Sequence, residues 1–293
     1  MKIINNPKIT LGMPVLNGEK HISFALESIF KQNFKKFNLI IFDNASTDKT
    51  LSVCEKYQKK HDNIVIYKQK RRVSVIENWI SVLKKTNSKY FLFCAHDDVF
   101  KEKEYLKNLI NKISSDTIPF GTINIIDEKN NFIKHICNNK IHNYDGPQIY
   151  RRLKFFITPS IFGKNNIIYG IHERKHILKI FEFFKKIKYI NYNYIDNYCN
   201  YKILKKKKIF PVVKATLLKR IKKYEKKNNF FGSKKNKFKI LLDHFNIYIL
   251  NYARFSNFLE IIIIIIASPI YFFYDRISVL VFKTNNKDSI ASK

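Results

Sequence analysis

Cysteine is scarce and scattered in this chain. Its four cysteines, Cys54, Cys94, Cys137 and Cys199, form no C-x-x-C pair and show no ligand spacing with histidine. This argues against a zinc site or a disulfide framework and fits a reducing cytoplasm. An apolar leader is missing too: the first seven residues carry no hydrophobic run of the kind that directs secretion, so an intracellular location is expected. No internal repeat is found. Acidic residues are few, with 23 Asp and Glu against 55 Lys and Arg, a net charge of +32 over 293 residues. Such a surplus suits phosphate-rich partners. The glycine-framed aromatic pattern of an RNA-binding sheet is absent, however, and the aromatics Tyr201, Phe210 and Tyr224 of the most basic stretch are sparse, so no nucleic-acid partner is expected. The composition leans towards Lys, Ile, Asn, Phe and Tyr, the residues of A- and T-rich codons, so part of the charge reflects base composition. The remainder is concentrated: residues 201–240 hold sixteen Lys or Arg and one acid, Glu225. A negatively charged partner is expected to meet that segment.

What is present is ample apolar content, 45% of residues, in an alternating pattern. A β-rich run over 8–16 is broken by Asn17-Gly18 and followed by helical spacing through Ile22, Leu26, Ile29 and Phe30. Residues 37–42 read as a second buried strand ending in Asp43, and 50–59 as a helix that Ser46 or Thr47 can cap. A third strand (64–67), a helix (74–85) and a fourth strand (90–94) continue the pattern. Strands alternating with helices imply a parallel, helix-covered sheet. Later, 120–126 and 132–136 flank a turn and predict a hairpin, so the sheet is expected to become mixed. Helices are predicted at 146–156 and 173–187, with a loop-rich stretch between them. The expected organisation is a catalytic domain over 1–225 and a basic, amphipathic C-terminal region over 226–293.

The most informative stretch is Lys89–Phe100. An aromatic strand ends there abruptly in His96-Asp97-Asp98, which brings two carboxylates to the sheet edge, where open α/β sheets keep their chemistry. Paired carboxylates suit a hard cation, and Mg²⁺ or Mn²⁺ takes one or two of them together with substrate phosphates. The bland alternative is a solvated strand end, or a helix N-cap formed by Asp97 or Asp98 ahead of a helix over 100–113.

Three segments together resemble glycosyltransferase family 2 in order and spacing: Met13-Pro14-Val15-Leu16-Asn17-Gly18-Glu19, Phe42-Asp43-Asn44-Ala45-Ser46-Thr47-Asp48, and Ala95-His96-Asp97-Asp98. A looser match, Asn166 to Gly170 with Arg174, is similar to an acceptor-side segment of some members. The resemblance implies a GT-A fold, with a mixed, mostly parallel Rossmann-like sheet covered by helices. It implies a nucleotide-diphosphate sugar donor, a glycan or lipid-linked acceptor, and a divalent metal, Mg²⁺ or Mn²⁺. The Pro14–Glu19 turn, with Asn17, is expected beside the nucleotide, and Asp43 on its base. Asp97, with Asp98, is expected to hold the metal that neutralises the departing diphosphate. Asn78 is either a donor-loop contact or a helix-surface residue, and Glu19 and Asp48 each also read as helix-start acids. His96 is a neighbour of the diphosphate or a hydrogen-bonder behind it. An inverting transfer needs a base for the acceptor hydroxyl. Asp196, among Tyr192, Tyr194 and Tyr198, is the expected base, and Glu173 the reserve. The chain departs from the family pattern at Ala95, which cannot ligate, and at Val73, where glycine is frequent. Ala95 keeps alive a second reading, a relative that binds nucleotide sugar without turnover.

The run Ile261–Tyr274 is apolar over 14 residues, short of the ~20 that span a bilayer. Continuing it would bury Asp275 and Arg276. An interfacial or re-entrant anchor is therefore expected, with 238–258 an amphipathic helix and the basic segment on anionic lipid, at the inner face of a bacterial plasma membrane. A soluble helix packed on the catalytic domain, or a buried strand at the isoleucines, are the alternatives.

Overall fold

A computed structural model describes residues 8–136, 139–158, 162–187, 195–221, 252–253, 256–271 and 273–274. The chain divides into two compact units, the first formed by Met1–Asn143, Ile168–Ile187 and Ile209–Ile221, the second by Tyr144–Ile167, Lys188–Lys208 and Lys222–Lys293.

The first unit opens with β1 (Ile9–Val15), α1 (Ile22–Phe30), β2 (Phe37–Asp43), α2 (Thr50–Gln58), β3 (Ile64–Lys68), α3 (Val75–Lys85) and β4 (Tyr90–Phe93). All seven residues of β2 are buried, as a strand covered on both faces requires, and its Phe-Asn-Leu-Ile-Ile-Phe sequence supplies the apolar surface for that. α3 starts in a capping box: Ser74 Oγ accepts from Glu77 N–H while Glu77 Oε2 accepts from Ser74 N–H. Its buried Ile76, Ile80 and Leu83 recur at helical spacing and pack on β1 and β2. Then come β5 (Val99–Phe100), α4 (Tyr105–Ile110), β6 (Thr117–Ile126), β7 (Phe132–His135) and a short α5 (Asn139–His142).

The main sheet has the order β3-β2-β1-β4-β8, where β8 is Ile171–Glu173. β1, β2, β3 and β4 are parallel, and β8 runs antiparallel beside β4. The chain steps outward from β1 to β3, then returns to lie on β1's other side as β4. The ends of β1, β2 and β4 thus meet at a reversal of strand order, the place where such sheets hold ligands. Pro14 sits in a central strand without cost on the β4 side, because that ladder stops at Gly12 opposite Phe93. A second sheet, β5-β9-β6-β7, is built around β9 (Lys208–Arg220). β5 is antiparallel to β9, and β6 and β7 form the expected hairpin. α7 (Arg174–Lys185) follows β8 and buries Ile177, Ile180, Phe181 and Phe184.

Three expectations change here. The helix foreseen over 100–113 begins at Tyr105, because Val99 and Phe100 pair with Leu218 and Leu217; neither Asp97 nor Asp98 is an N-cap. Neither Ser46 nor Thr47 caps α2: Asp48 Oδ1 accepts from Thr50 N–H, and Ser46 Oγ is taken by Asn17 N–H. The front of the basic segment, expected as a partner surface, is strand β9, which buries Ile209, Ala215, Leu217 and Arg220. Pro211 and four interspersed cations disguise it, since proline normally demotes a strand.

In the second unit, α6 (Gln148–Ile157) and α8 (Ile195–Ile203) carry buried Phe155, Phe156, Tyr198, Tyr201 and Ile203, and a 3₁₀ turn, Lys164–Tyr169, lies partly in it. Residues 258–271 are helical, not a strand. This helix starts in a second capping box, with Asn257 Oδ1 accepting from Glu260 N–H and Glu260 Oε2 from Asn257 N–H. Glu260 is also ion-paired with Arg152, both fully buried, and the Arg152 guanidinium lies 4.1 Å over the Tyr201 ring. Ile264 and Ser268 face inward, while Phe258, Leu259, Ile262, Ile265, Ile266 and Ile270 are exposed. Among the described residues, no helix is long and apolar enough to cross a membrane. The expected helix over 238–258 and the boundary at 225 fall almost entirely outside the described residues.

Candidate active site

The loops after β1 and β2 are interlocked backbone to side chain. Asn17 N–H donates to Ser46 Oγ (2.9 Å) and Thr47 N–H to Asn17 Oδ1 (3.0 Å). Gly18 N–H donates to Thr50 Oγ1 (2.7 Å), Glu19 N–H to Asp48 Oδ2 (3.1 Å) and Lys49 N–H to Glu19 Oε2 (3.1 Å). Asp48 is therefore a brace between loops. Burial raises its pKa, but the bonds from Thr50 and Glu19 outweigh this and hold it below the usual carboxylate range. Asn17 and Ala45 both adopt positive φ, 51° and 58°. Asparagine tolerates that region, whereas alanine there is strained by about 1 kcal/mol and is retained because its neighbours fix it.

Asp43 closes β2, 1% exposed, with both carboxylate oxygens near Ser46 N–H (3.3 and 3.1 Å). Around it the backbone is pinned. Asn44 accepts from Val73 N–H and donates to Val73 O, each at 2.9 Å, so the side chain of one loop stands in for a strand partner of the next. Asn78 is not a helix-surface residue: it is 3% exposed, its Nδ2 donates to Phe42 O (3.1 Å), and its Oδ1 accepts from Gln69 Nε2 (3.3 Å). It fixes the end of β2 from α3.

The His96-Asp97 turn leaves β4 on the other side of β1. A Cβ on Gly18 would stand 2.5 Å from His96 Cδ2, so the imidazole lies directly on the β1 loop, and only glycine leaves room for it. Asp97 is half-buried, and its carboxylate takes no hydrogen bond or ion pair from the described residues. Asp98 differs. It is 5% exposed, its Oδ1 accepts from Arg220 N–H (3.1 Å), and its Oδ2 lies 3.8 Å from Lys219 Nζ with no hydrogen-bond donor. Burial pushes its carboxyl up to about 6 against the pull of Lys219. The cavity beside it, lined by Ser28, Cys94, Ala95, Tyr105 and Tyr169, measures about 10 Å³, the room of one water and too little for a hydrated cation.

Among the described residues, no group of three or more His, Cys, Asp or Glu could hold a metal ion. The donor set still suits a hard cation that takes one carboxylate and completes its shell with phosphate oxygens and water, and Asp97 is the carboxylate that fits. Asp196 lies in the first turn of α8, in the second unit, while Tyr192 and Tyr194 fall outside the described residues. Glu173 pairs with Tyr90 at the start of β4, the opposite end of that strand from Asp97, which removes it as the reserve base. Lys219 and Arg220 escaped the sequence reading because nothing near residue 220 marks a strand; the signal available was a scatter of β-formers, Ile209, Val212, Val213 and Thr216, among the cations.

Comparison with known proteins gives a consistent picture. The family model described as "Glycosyl transferase family 2" matches residues 10–170, more than half of the chain. A protein of Methanococcus voltae named dolichyl N-acetyl-alpha-D-glucosaminyl phosphate 3-beta-D-2,3-diacetamido-2,3-dideoxy-beta-D-glucuronosyltransferase is 34% identical over 181 residues, 58% of this chain and 54% of that protein. The chain thus spans about half the length of this relative. Residues 1–349 of S. aureus TarS, solved with UDP-GlcNAc, share the fold at a TM-score of 0.56 and 18% identity, over 85% of this chain and 71% of that one. The mannosyltransferase PcManGT of Pyrobaculum calidifontis, solved with GDP-Man and Mn²⁺, gives a TM-score of 0.50 and 11% identity, over 86% of this chain and 64% of that one.

Proposed function

The chain belongs to glycosyltransferase family 2 and has a GT-A-like fold, and from that premise we propose that it transfers a sugar from a nucleoside-diphosphate donor to a glycan or lipid-linked acceptor, with inversion, in the making of a bacterial cell-surface polysaccharide. The observation that carries this is the meeting of three strand ends: the buried Asp43, the interlocked Pro14–Glu19 loop and the unpartnered Asp97 all stand at the reversal of strand order of one parallel sheet. Asp43 accepts hydrogen bonds from the base. The loop through Pro14, Asn17 and Glu19 lies along the nucleotide, and His96, resting on Gly18, lines the diphosphate. Asn78 acts from behind by fixing Phe42 O.

Asp97 would supply the hard oxygen ligand for Mg²⁺ or Mn²⁺, and the chemistry such a cation would bring is neutralisation of the charge that grows on the departing nucleoside diphosphate. Asp98 supports this turn from inside instead of reaching the cation. Asp196, in the first turn of α8, takes the proton of the attacking acceptor hydroxyl as general base. The exposed apolar stripe of helix 258–271 rests on an anionic membrane surface at the inner face of the plasma membrane, an attraction to which each Lys or Arg near such a surface adds up to about 1 kcal/mol.

The test is titration of the purified protein with nucleotide sugars, with and without Mn²⁺, followed by product detection. Metal-dependent binding and transfer are expected. Binding without turnover would mark an inactive relative, and no binding of any nucleotide would overturn the reading. Asp196→Asn should lower kcat at least about 100-fold with donor affinity unchanged. A modest loss accompanied by a lower Tm would reduce Asp196 to a helix-start acid.

A further inference from the structure

We propose that Arg220 is a positioning residue for the cation-binding turn, and that it fixes the backbone of Asp97 while its neighbour Asp98 serves as the turn's internal anchor. The inference rests on the assignment of Asp97 as the cation ligand, and it concerns a residue far outside the three family motifs. Arg220 ends β9, 4% exposed, and every polar group it owns except its carbonyl is directed at two turns. Its main-chain N–H donates to Asp98 Oδ1 (3.1 Å) and its Nε to Asp97 O (3.1 Å). Its Nη1 donates to Asp127 O (2.8 Å) and Glu128 O (3.3 Å), and its Nη2 to Asn130 Oδ1 (2.6 Å). The guanidinium also lies 5.8 Å from the Phe24 ring centre on α1. One planar cation therefore bolts the Asp97-Asp98 turn to the turn of the β6–β7 hairpin and to α1.

The arrangement has a chemical logic. Among the described residues the Asp97 carboxylate has no partner to hold it, so its position depends on its backbone, and Arg220 is what fixes that backbone. A carboxylate ligand must be placed to within a fraction of an ångström for a cation with strict geometry, and such placement comes from what holds the ligand as much as from the ligand itself. Lysine cannot replace the function, because a point charge on a flexible stem cannot reach Asp97 O and the hairpin carbonyls together. The hairpin supplies its side of the joint with its own rigid turn: Asp127 Oδ1 accepts from Lys129 and Asn131 N–H, and Asn130 holds φ at 71°.

The experiment measures Mn²⁺ binding by electron paramagnetic resonance in the presence of whichever of UDP, GDP or dTDP binds the wild type, alongside nucleotide affinity in EDTA and Tm. Arg220→Lys should weaken Mn²⁺ binding at least tenfold, raise the Mn²⁺ concentration needed for half-maximal turnover by the same factor, and leave nucleotide affinity in EDTA unchanged. A folded Arg220→Lys with wild-type Mn²⁺ affinity would overturn the inference while leaving the proposed function intact. If that variant melts well below the wild type, Asn130→Gly decides. It keeps the positive φ but removes the Nη2 acceptor; Mn²⁺ affinity should fall about threefold, and an unchanged value overturns the proposal. Failure of the wild type to bind Mn²⁺ with any nucleotide would instead remove the assignment of Asp97, and this inference with it.

Discussion

The loops that follow β1 and β2 hold each other, whereas the turn that follows β4 is held by a strand 122 residues further along the chain. In the first region, short polar side chains close on neighbouring backbone within some 30 residues of sequence, so Asn17, Ser46, Asp48 and Thr50 explain one another. In the second, Asp97 and Asp98 have almost nothing local and depend on Lys219 and Arg220. The β1 and β2 loops are built from their own residues. The turn that carries Asp97 borrows its rigidity from elsewhere.

The comparison is broken most severely at Asp97. Asp97→Asn should cost roughly a hundredfold or more in kcat with Tm unchanged, because the substitution removes a charge that the fold does not use. Near-normal turnover at saturating Mn²⁺ would show that the turn carries no cation. Asp43→Ala is expected to act on binding instead, raising the donor KM roughly tenfold or more through a lost hydrogen bond to a charged group. A variant in which only the acceptor KM rises would move Asp43 away from the nucleotide.

A further effect concerns stability alone. His172 in β8 is buried, its Nε2–H donates to Ile168 O (2.9 Å), and burial presses its pKa down to about 4. Its folded pKa is depressed, so the unfolded chain binds more protons, and the stability His172 contributes is lost as pH falls from about 6.5 through 4. Asp98, raised to about 6 by its burial, has the opposite sign: the folded state binds more protons, and stability is lost as pH rises through that value. The two offset over the acidic range. Urea melts at pH 7 and pH 5 should show His172→Asn losing about 2 kcal/mol less than the wild type over that interval. Equal losses would mean that the imidazole is protonated within the fold.

The same contrast governs how much could be read in advance. The alternating strands and helices up to β4, the β6–β7 hairpin, α6 and α7 were all legible, because each carries its own periodicity and its own start or stop residues. The placing of Asn17, Glu19 and Asp43 at the ends of β1 and β2 was legible for the same reason. β5, β8 and β9 were not. β5 and β8 are two and three residues long and exist only through their partners, and β9 hides behind Pro211 and its cations. With β9 invisible, Asp97 and Asp98 read as a like pair, and the Arg220 N–H and the one-water cavity beside Asp98 are what separate their surroundings. Asn78 read as either a donor-loop contact or a helix-surface residue, because no local pattern reports that Phe42 O needs a donor.

The bond from Arg220 to the Asp97-Asp98 turn also sets an order of events at the ribosome. By the time β4 and its turn have been made, β1 and β2 are complete and can already close their loops on each other. Arg220 arrives 122 residues later, which at 5–20 residues per second is a delay of roughly 6 to 25 s. During that interval the nascent chain has its β1 and β2 loops locked and its Asp97-Asp98 turn unfixed, so under the proposed function capture of a donor would precede the ability to use it.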